Sequence, residues 1–287
     1  MNTSKIKLLS AMGIFGTIGI FVRYIPLPSA AIALTRGVLG VVFLLTVMLL
    51  SRKKPDFWAI KKNFLILCVS GAAIGFNWIL LFESYKHTSV AIATVCYYMA
   101  PVFLILASPL LGERLTLKRL LCIGFALVGM AFVSGILDGP ALQLKDLKGI
   151  FLGIGAALLY ATVMFLNKKL SPIGAYDKTV LQLGSATVIL IPYLLLTQTP
   201  VLAPMTSLQW LLLLCVGILH TGIAYTLYFG SMRELSADTV AIFSYLDPVL
   251  AILLSAFVLG EKLNFFGILG SVLILGSALY SELPTKK

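Results

Sequence analysis

Residues 101–115 read P-V-F-L-I-L-A-S-P-L-L-G-E-R-L, and residues 248–263 read P-V-L-A-I-L-L-S-A-F-V-L-G-E-K-L. The two stretches are one sentence written twice, with a single residue inserted before the second G-E. Read backwards from each proline at a constant offset of 147, the match continues without a gap to residues 67 and 214. L-C-V at 67–69 meets L-C-V at 214–216, Gly75 meets Gly222, Phe82 meets Phe229, and Tyr98 meets Tyr245. Chance likeness between apolar segments does not keep Gly, Pro and Glu in the same order. The chain therefore reads as two related halves, residues 1–140 and 141–287.

Each half is too apolar for water. Of 287 residues 60% are hydrophobic and 11% charged, with a mean hydropathy of +1.02, whereas a soluble domain is about half apolar and about a quarter charged. Apolar runs of about twenty residues, enough to cross a hydrocarbon core of about 30 Å, are read at about 8–23, 28–51, 63–83, 88–111, 119–137, 148–167, 177–197, 207–232, 236–259 and 264–281. Polar or Pro/Gly breaks such as R-K-K-P-D at 52–56 and L-D-G-P at 137–140 separate them. The polar connections are too short for a soluble domain, and the alternating strands of an outer-membrane barrel are absent. The expectation is an all-α integral membrane protein of ten transmembrane helices.

Five spans per half is an odd number, so the second half enters the membrane from the opposite side. That predicts two inverted five-helix repeats, an arrangement typical of secondary transporters with a midplane site between the halves. With the N-terminus inside, the outer loops hold only Arg23, Lys86, Lys145, Lys148 and Lys262; Arg36 lies within a span, and the other sixteen of the 22 basic residues fall inside. The positive-inside rule then predicts a multi-pass protein of the cell membrane with both termini cytoplasmic. The net charge of +11 orients the chain in the lipid bilayer and does not point to nucleic acid. Lys5 and Lys7 before an apolar run, with Ser29-Ala30-Ala31 as a cleavage site, also fit a secretory signal peptide, but the first span has its counterpart in the second half. Cys68, Cys96, Cys122 and Cys215 all fall in apolar spans at spacings that match no metal motif, so no metal or cofactor is expected.

The ten spans, the five-plus-five repeat, the P-V…L-G-E-(K/R)-L motif after the fourth and ninth spans, and H-T-G-I-A-Y at 220–225 resemble an EamA-type member of the drug/metabolite transporter superfamily. The resemblance covers essentially the whole chain. It implies a basket of ten helices around a central cavity. It also implies transport of small metabolites, most often export of amino acids, with uptake of small organic solutes in some members. The family often carries Trp-Gly in its first span where this chain has Phe15-Gly16, so substrate preference does not transfer directly.

Positions that agree between the halves serve the common scaffold; positions that differ in chemistry are free for function. Ala73 corresponds to His220 and Ala100 to Asp247. An aspartate at a helix midplane costs roughly 3 kcal/mol on insertion scales unless a polar cavity or partner offsets it. Residues three and four apart share a helix face. On that basis a substrate cavity is expected to be lined by Phe15, Asn77, Trp78, Tyr97, Tyr160, His220, Tyr225, Ser244 and Asp247, with Asp247 and His220 as proton- or ion-coupling groups. Aromatic walls with a few polar groups suit a small amphipathic solute or a cation. Asp247 has a plainer reading as the partner of a backbone group freed by Pro248, and His220 as a buried neutral histidine on a carbonyl.

Arg36 reads as a structural residue that snorkels or bonds loop carbonyls, and Tyr98 and Tyr245 as packing at the interface between halves. Pro101 and Pro248 read as structural hinges, Glu113 and Glu261 as ties at loop ends. Gly13, Gly16 and Gly19 permit close helix approach, leaving a monomer or a weak homodimer. The function expected is a secondary-active exporter of small metabolites such as amino acids, working by alternating access and open to proton coupling. An uptake carrier for a small organic cation is the alternative. An intramembrane enzyme would need a nucleophile and base, yet the sequence has neither a zinc H-E-x-x-H nor a nucleophile elbow. A receptor or passive channel is a third class, which inverted repeats disfavour.

Overall fold

A computed structural model describes residues 3–112, 115–133, 144–197, 204–232, 235, 240, 243–261 and 264–282, and all regular structure among them is helical. The first half supplies α1 (Thr3–Arg23), α2 (Ser29–Leu50), α3 (Phe57–His87), α4 (Val90–Tyr97), α5 (Ala100–Ala107) and α6 (Leu117–Val133). The second supplies α7 (Leu144–Lys168), α8 (Ala175–Thr197), α9 (Ser207–Gly217), α10 (Ala224–Met232), α11 (Leu246–Val258) and α12 (Phe265–Glu282). A 3₁₀ turn at Ser108–Leu111 extends α5, and a π-helical turn at Ile218–Ile223 joins α9 to α10. Glu113, Arg114, Lys262 and the 137–140 break lie outside the described residues.

Among the described residues seven stretches are long and apolar enough to cross a membrane: α1, α2, α3, Val90–Leu111, Asp146–Lys168, α8 and Ser207–Ser231. α11 and α12 are shorter apolar helices. Leu65, Leu196 and Phe257 are 75%, 85% and 83% exposed, a surface that lipid rather than water accommodates. The chain is an all-helical, multi-pass membrane protein.

Local chemistry sets the helix ends. Asp56 caps α3 by accepting from the Ala59 N–H at 2.9 Å, so α3 begins six residues before the apolar run from 63. Ser89 caps α4 through Ile92 N–H at 3.1 Å, and Thr206 and Gln209 form a reciprocal capping box on α9. The glycines of the doubled G-E motif, Gly112 and Gly260, have φ of +76° and +67°. Both end their helices in the left-handed conformation that glycine adopts without penalty.

The prolines stand at helix starts. Pro101 is the second residue of α5 and Pro248 the third of α11. A first-turn N–H has no intrahelical partner, so proline costs little there. The fourth and ninth spans are accordingly broken at Tyr98–Met99 and at Tyr245 rather than bent through a continuous helix.

α3 runs between α7 and α8, α1 packs on α10 and α11, α2 on α8, and α6 on α12. Cross-contacts fix two ends. At the end where α1 begins, Asn63 bonds Ser171 in both directions and Asp177 accepts from the Asp56 N–H at 3.3 Å. At the far end, α1 finishes beside the α3–α4 junction and the residues after α11.

Candidate functional site

The break before α11 places Asp247 second in a helix that begins inside the bundle. A helix N-terminus carries partial positive charge and unpaired N–H groups, so this is a favourable place for a carboxylate in an apolar setting. Tyr98, which caps the end of α4, donates its hydroxyl to Asp247 Oδ2 at 2.9 Å. The two broken helices thus meet through one side-chain hydrogen bond. Gly16 of α1 lies against the same turn: a Cβ there would stand 2.8 Å from the Asp247 carbonyl oxygen and 2.9 Å from Leu250 Cβ. Gly19 lies as closely on Val90, whereas Gly13 faces open space.

Asp247 opens onto a cavity of about 230 Å³ that runs toward the end where α1 begins. Its aromatic wall includes Phe15, Tyr160 and Tyr225, with Phe15 edge-on to Tyr225 at 5.5 Å and Tyr97 stacked behind Tyr160 at 5.3 Å. Ser244 also lines it, its hydroxyl turned back to the Val240 carbonyl at 2.8 Å. Toward the end where α1 begins the lining becomes polar with Asn167, Lys178, Thr179 and Gln182.

Five of the nine residues expected from sequence (Phe15, Tyr160, Tyr225, Ser244 and Asp247) line this cavity together. The other four sit around it. Asn77 is buried on α3 and donates to the Ala156 carbonyl at 2.5 Å, clamping α3 to α7. Trp78 is buried under the Arg36 guanidinium, 4.2 Å from its ring centroid. Tyr97 contributes through its stack on Tyr160. His220 is fully buried in the π-helical turn, Nε2 2.9 Å from Thr17 Oγ1 and Nδ1 3.1 Å from the Cys215 carbonyl. The next residue, Thr221, accepts from Arg36 Nε at 2.8 Å. Arg36 therefore ties α2 to the π turn rather than reaching a loop. π-helical turns recur at functional sites because they present side chains that a regular helix would not.

Sequence symmetry alone had set Tyr98 among the packing residues. It does pack on Tyr245, with centroids 6.1 Å apart, but its hydroxyl serves Asp247. Lys178, counted only as an orienting charge, also lines the cavity. The available signal was its position, four residues before Gln182 on one face of α8.

The far end is crossed by a polar network. Arg23 donates to the carbonyls of Tyr85 and Thr88, the latter at 3.1 Å, and its Nη2 lies 3.9 Å from Glu261 Oε1. Glu261 Oε2 accepts from the Val90 N–H at 2.8 Å. The second G-E motif thus supplies a left-handed glycine and a carboxylate that reaches across to the start of α4. Beside it Glu83 gathers Ser29 at 2.6 Å, Lys86 at 3.5 Å and His87 at 3.3 Å.

The model of the EamA-like transporter family matches residues 4–135 and again residues 147–281. The chain belongs to the EamA-like transporter family. It is 35% identical to the uncharacterized transporter YxxF of Bacillus subtilis (strain 168) over 97% of this chain and 89% of that one. An uncharacterized transporter of Archaeoglobus fulgidus is 29% identical over 94% of this chain and 93% of its own. A probable amino-acid metabolite efflux pump of Salmonella typhimurium is 29% identical over 57% of each chain. A solved crystal structure superposes with a TM-score of 0.65 at 18% identity, covering 98% of this chain and 96% of that one, which shows a shared fold. As an EamA-type member of the drug/metabolite transporter superfamily, the protein is a membrane transporter.

Proposed function

We propose that this EamA-type transporter is a secondary-active exporter of small metabolites such as amino acids, residing in the cell membrane with both termini cytoplasmic. Its two inverted repeats rock against each other around the cavity at Asp247. The observation that carries this reading is the pairing of a half-helix N-terminus bearing Asp247 with a cavity that extends to one end of the bundle, while the other end is crossed by the Arg23–Glu261 network. A midplane site on discontinuous helices between repeats is how many secondary transporters bind solute and ion. The double match to the family model, the 147-residue offset and the basic residues on one side support the repeats and their orientation. The name of the Salmonella typhimurium relative supports amino-acid metabolites and export.

In this reading Asp247 binds the amino group or proton, and Phe15, Tyr160 and Tyr225 hold the apolar part of the solute. Tyr97, Trp78, Asn77 and His220 position that wall. The protein works as a monomer or a weak homodimer on a small solute, with neither covalent chemistry nor nucleic acid involved. Proteoliposomes loaded with the twenty proteinogenic amino acids should accumulate at least one of them from a labelled external trace, by counterflow, above protein-free liposomes. Equal accumulation in both for every amino acid would exclude them as cargo. The aromatic wall beside a carboxylate also fits uptake of an organic cation, which labelled tetraethylammonium counterflow tests in the same vesicles.

A further inference from the structure

The cavity has a second charged pole. Lys178 lines it from the first turn of α8, and among the described residues no carboxylate or carbonyl pairs with its ammonium group. Asp177 beside it is turned away onto the Asp56 N–H. Two amides flank the lysine: Gln182 donates to Asn167 Oδ1 at 2.8 Å and to Ser70 at 2.7 Å, leaving its own oxygen and the Asn167 amino group free for other partners. A half-buried ammonium in a lined cavity without a counter-charge is poised for an anion.

The opposite pole is fixed by Tyr98, Asp247 and the Tyr97–Tyr160 stack. Tyr160 and Asn167 lie seven residues apart on α7, so the two poles are separated by roughly 10 Å along that helix at 1.5 Å per residue. Among the described residues one lysine and no arginine lines the cavity. That suits a singly charged carboxylate better than a phosphate, which favours bidentate arginine or several cations.

We infer that Lys178, with the amides of Asn167 and Gln182, is a carboxylate-binding subsite, and that the solute is a zwitterion whose amino and carboxylate groups lie several bonds apart, one at each pole. A compact α-amino acid reaches one pole only. An ω-amino acid or a peptide-like zwitterion reaches both, with its chain along the aromatic wall. The inference rests on the carrier reading above, and deepens it by naming the spacing of the charges.

The test uses the full-length protein in detergent, with thermal shift read against glycine, 4-aminobutyrate, 6-aminohexanoate, 8-aminooctanoate and the neutral-ended 6-aminohexanamide, since at a fixed concentration stabilisation rises with the logarithm of affinity. Wild type should bind 6-aminohexanoate or 8-aminooctanoate about tenfold more tightly than glycine, and 6-aminohexanoate at least about tenfold more tightly than its amide, the scale of one charge-assisted contact. Lys178→Gln should abolish the preference for carboxylate over amide, and Lys178→Arg should keep it. Growth of affinity with chain length that survives in Lys178→Gln together with the carboxylate preference overturns the subsite. So does equal binding of acid and amide by wild type, or binding of none of the five. Counterflow that persists alongside such a result leaves the carrier reading standing and removes only the two-pole solute.

Discussion

The Tyr98 hydroxyl donates to the Asp247 carboxylate at 2.9 Å, joining the residue that ends α4 to the first turn of α11. Each half contributes a helix interrupted inside the membrane, and this bond is where the interruptions meet. Hydrogen bonds to charged groups are worth about 1.5–3 kcal/mol. Tyr98→Phe should therefore lower the melting temperature of the detergent-solubilised protein, and Asp247→Asn should lower it less, because an amide oxygen still accepts. The double variant should cost less than the sum of the two, and strict additivity of the melting shifts would mean the pair is not coupled.

Close approach at Gly71 predicts a steric effect. A Cβ there would stand 2.7 Å from Ser185 Cβ and closer still to the Gln182 carbonyl, between α3 and α8. Gly71→Ala should destabilise by about 1–3 kcal/mol, as overpacking does. Gly13, with nothing within 4 Å, should accept alanine without loss. The comparison is a pair of thermal melts, and equal shifts for the two variants would rule out the tight α3–α8 contact.

Glu261 lies beyond the end of α11, where burial raises its carboxyl above the ordinary value of 4.5, against the opposing pull of the Val90 N–H and the Arg23 charge. A folded carboxyl with a raised pKa holds its proton more tightly than the unfolded one. Its contribution to stability is fully present below pH 4.5 and declines as pH rises through the folded value. Melting temperature should therefore fall as pH climbs from 4.5, and Glu261→Gln should remove that part of the slope. An identical slope in the variant would place the titration elsewhere.

Orientation is tested with single cysteines in a background lacking the four native ones. Lys53 stacks on Tyr176 at 3.7 Å, which puts it at the end where α8 begins, and Lys148 stands at the start of α7 beside the far end. A membrane-impermeant maleimide applied to intact cells should label Lys148→Cys and spare Lys53→Cys and Lys168→Cys. Labelling of Lys53 and Lys148 from the same side would defeat the topology.

Helix content and membrane residence were legible in the sequence because apolar length alone decides them. The candidate cavity was legible where an asymmetry between halves was chemical, as at Asp247 against Ala100. It was hidden where asymmetry lay in winding. Trp78 and Tyr225 stand at matching positions, 147 apart, and so do Phe82 and Phe229. Yet Trp78 and Phe82 are buried, at 5% and 0% exposure, while Tyr225 and Phe229 line the cavity. Spacing on an ideal helix gives both members of each pair the same aspect, so it cannot distinguish them. Tyr98 was obscure for the converse reason: it is shared by both halves, and only its partner is not.

The π-helical turn at Ile218–Ile223 spends an extra residue per turn without lengthening the chain relative to its counterpart in α3. It is a dislocation in an otherwise regular screw. Because one residue corresponds to about 100° of rotation, everything beyond such a dislocation is dialled to a new bearing while every residue keeps its place in the sequence. Two stretches of matching sequence can then become a wall and a core through a single fault present in one and absent from the other. Removing that fault would re-aim Tyr225, Tyr228 and Phe229 as a set, so the cavity wall can change by rewinding, with no residue replaced.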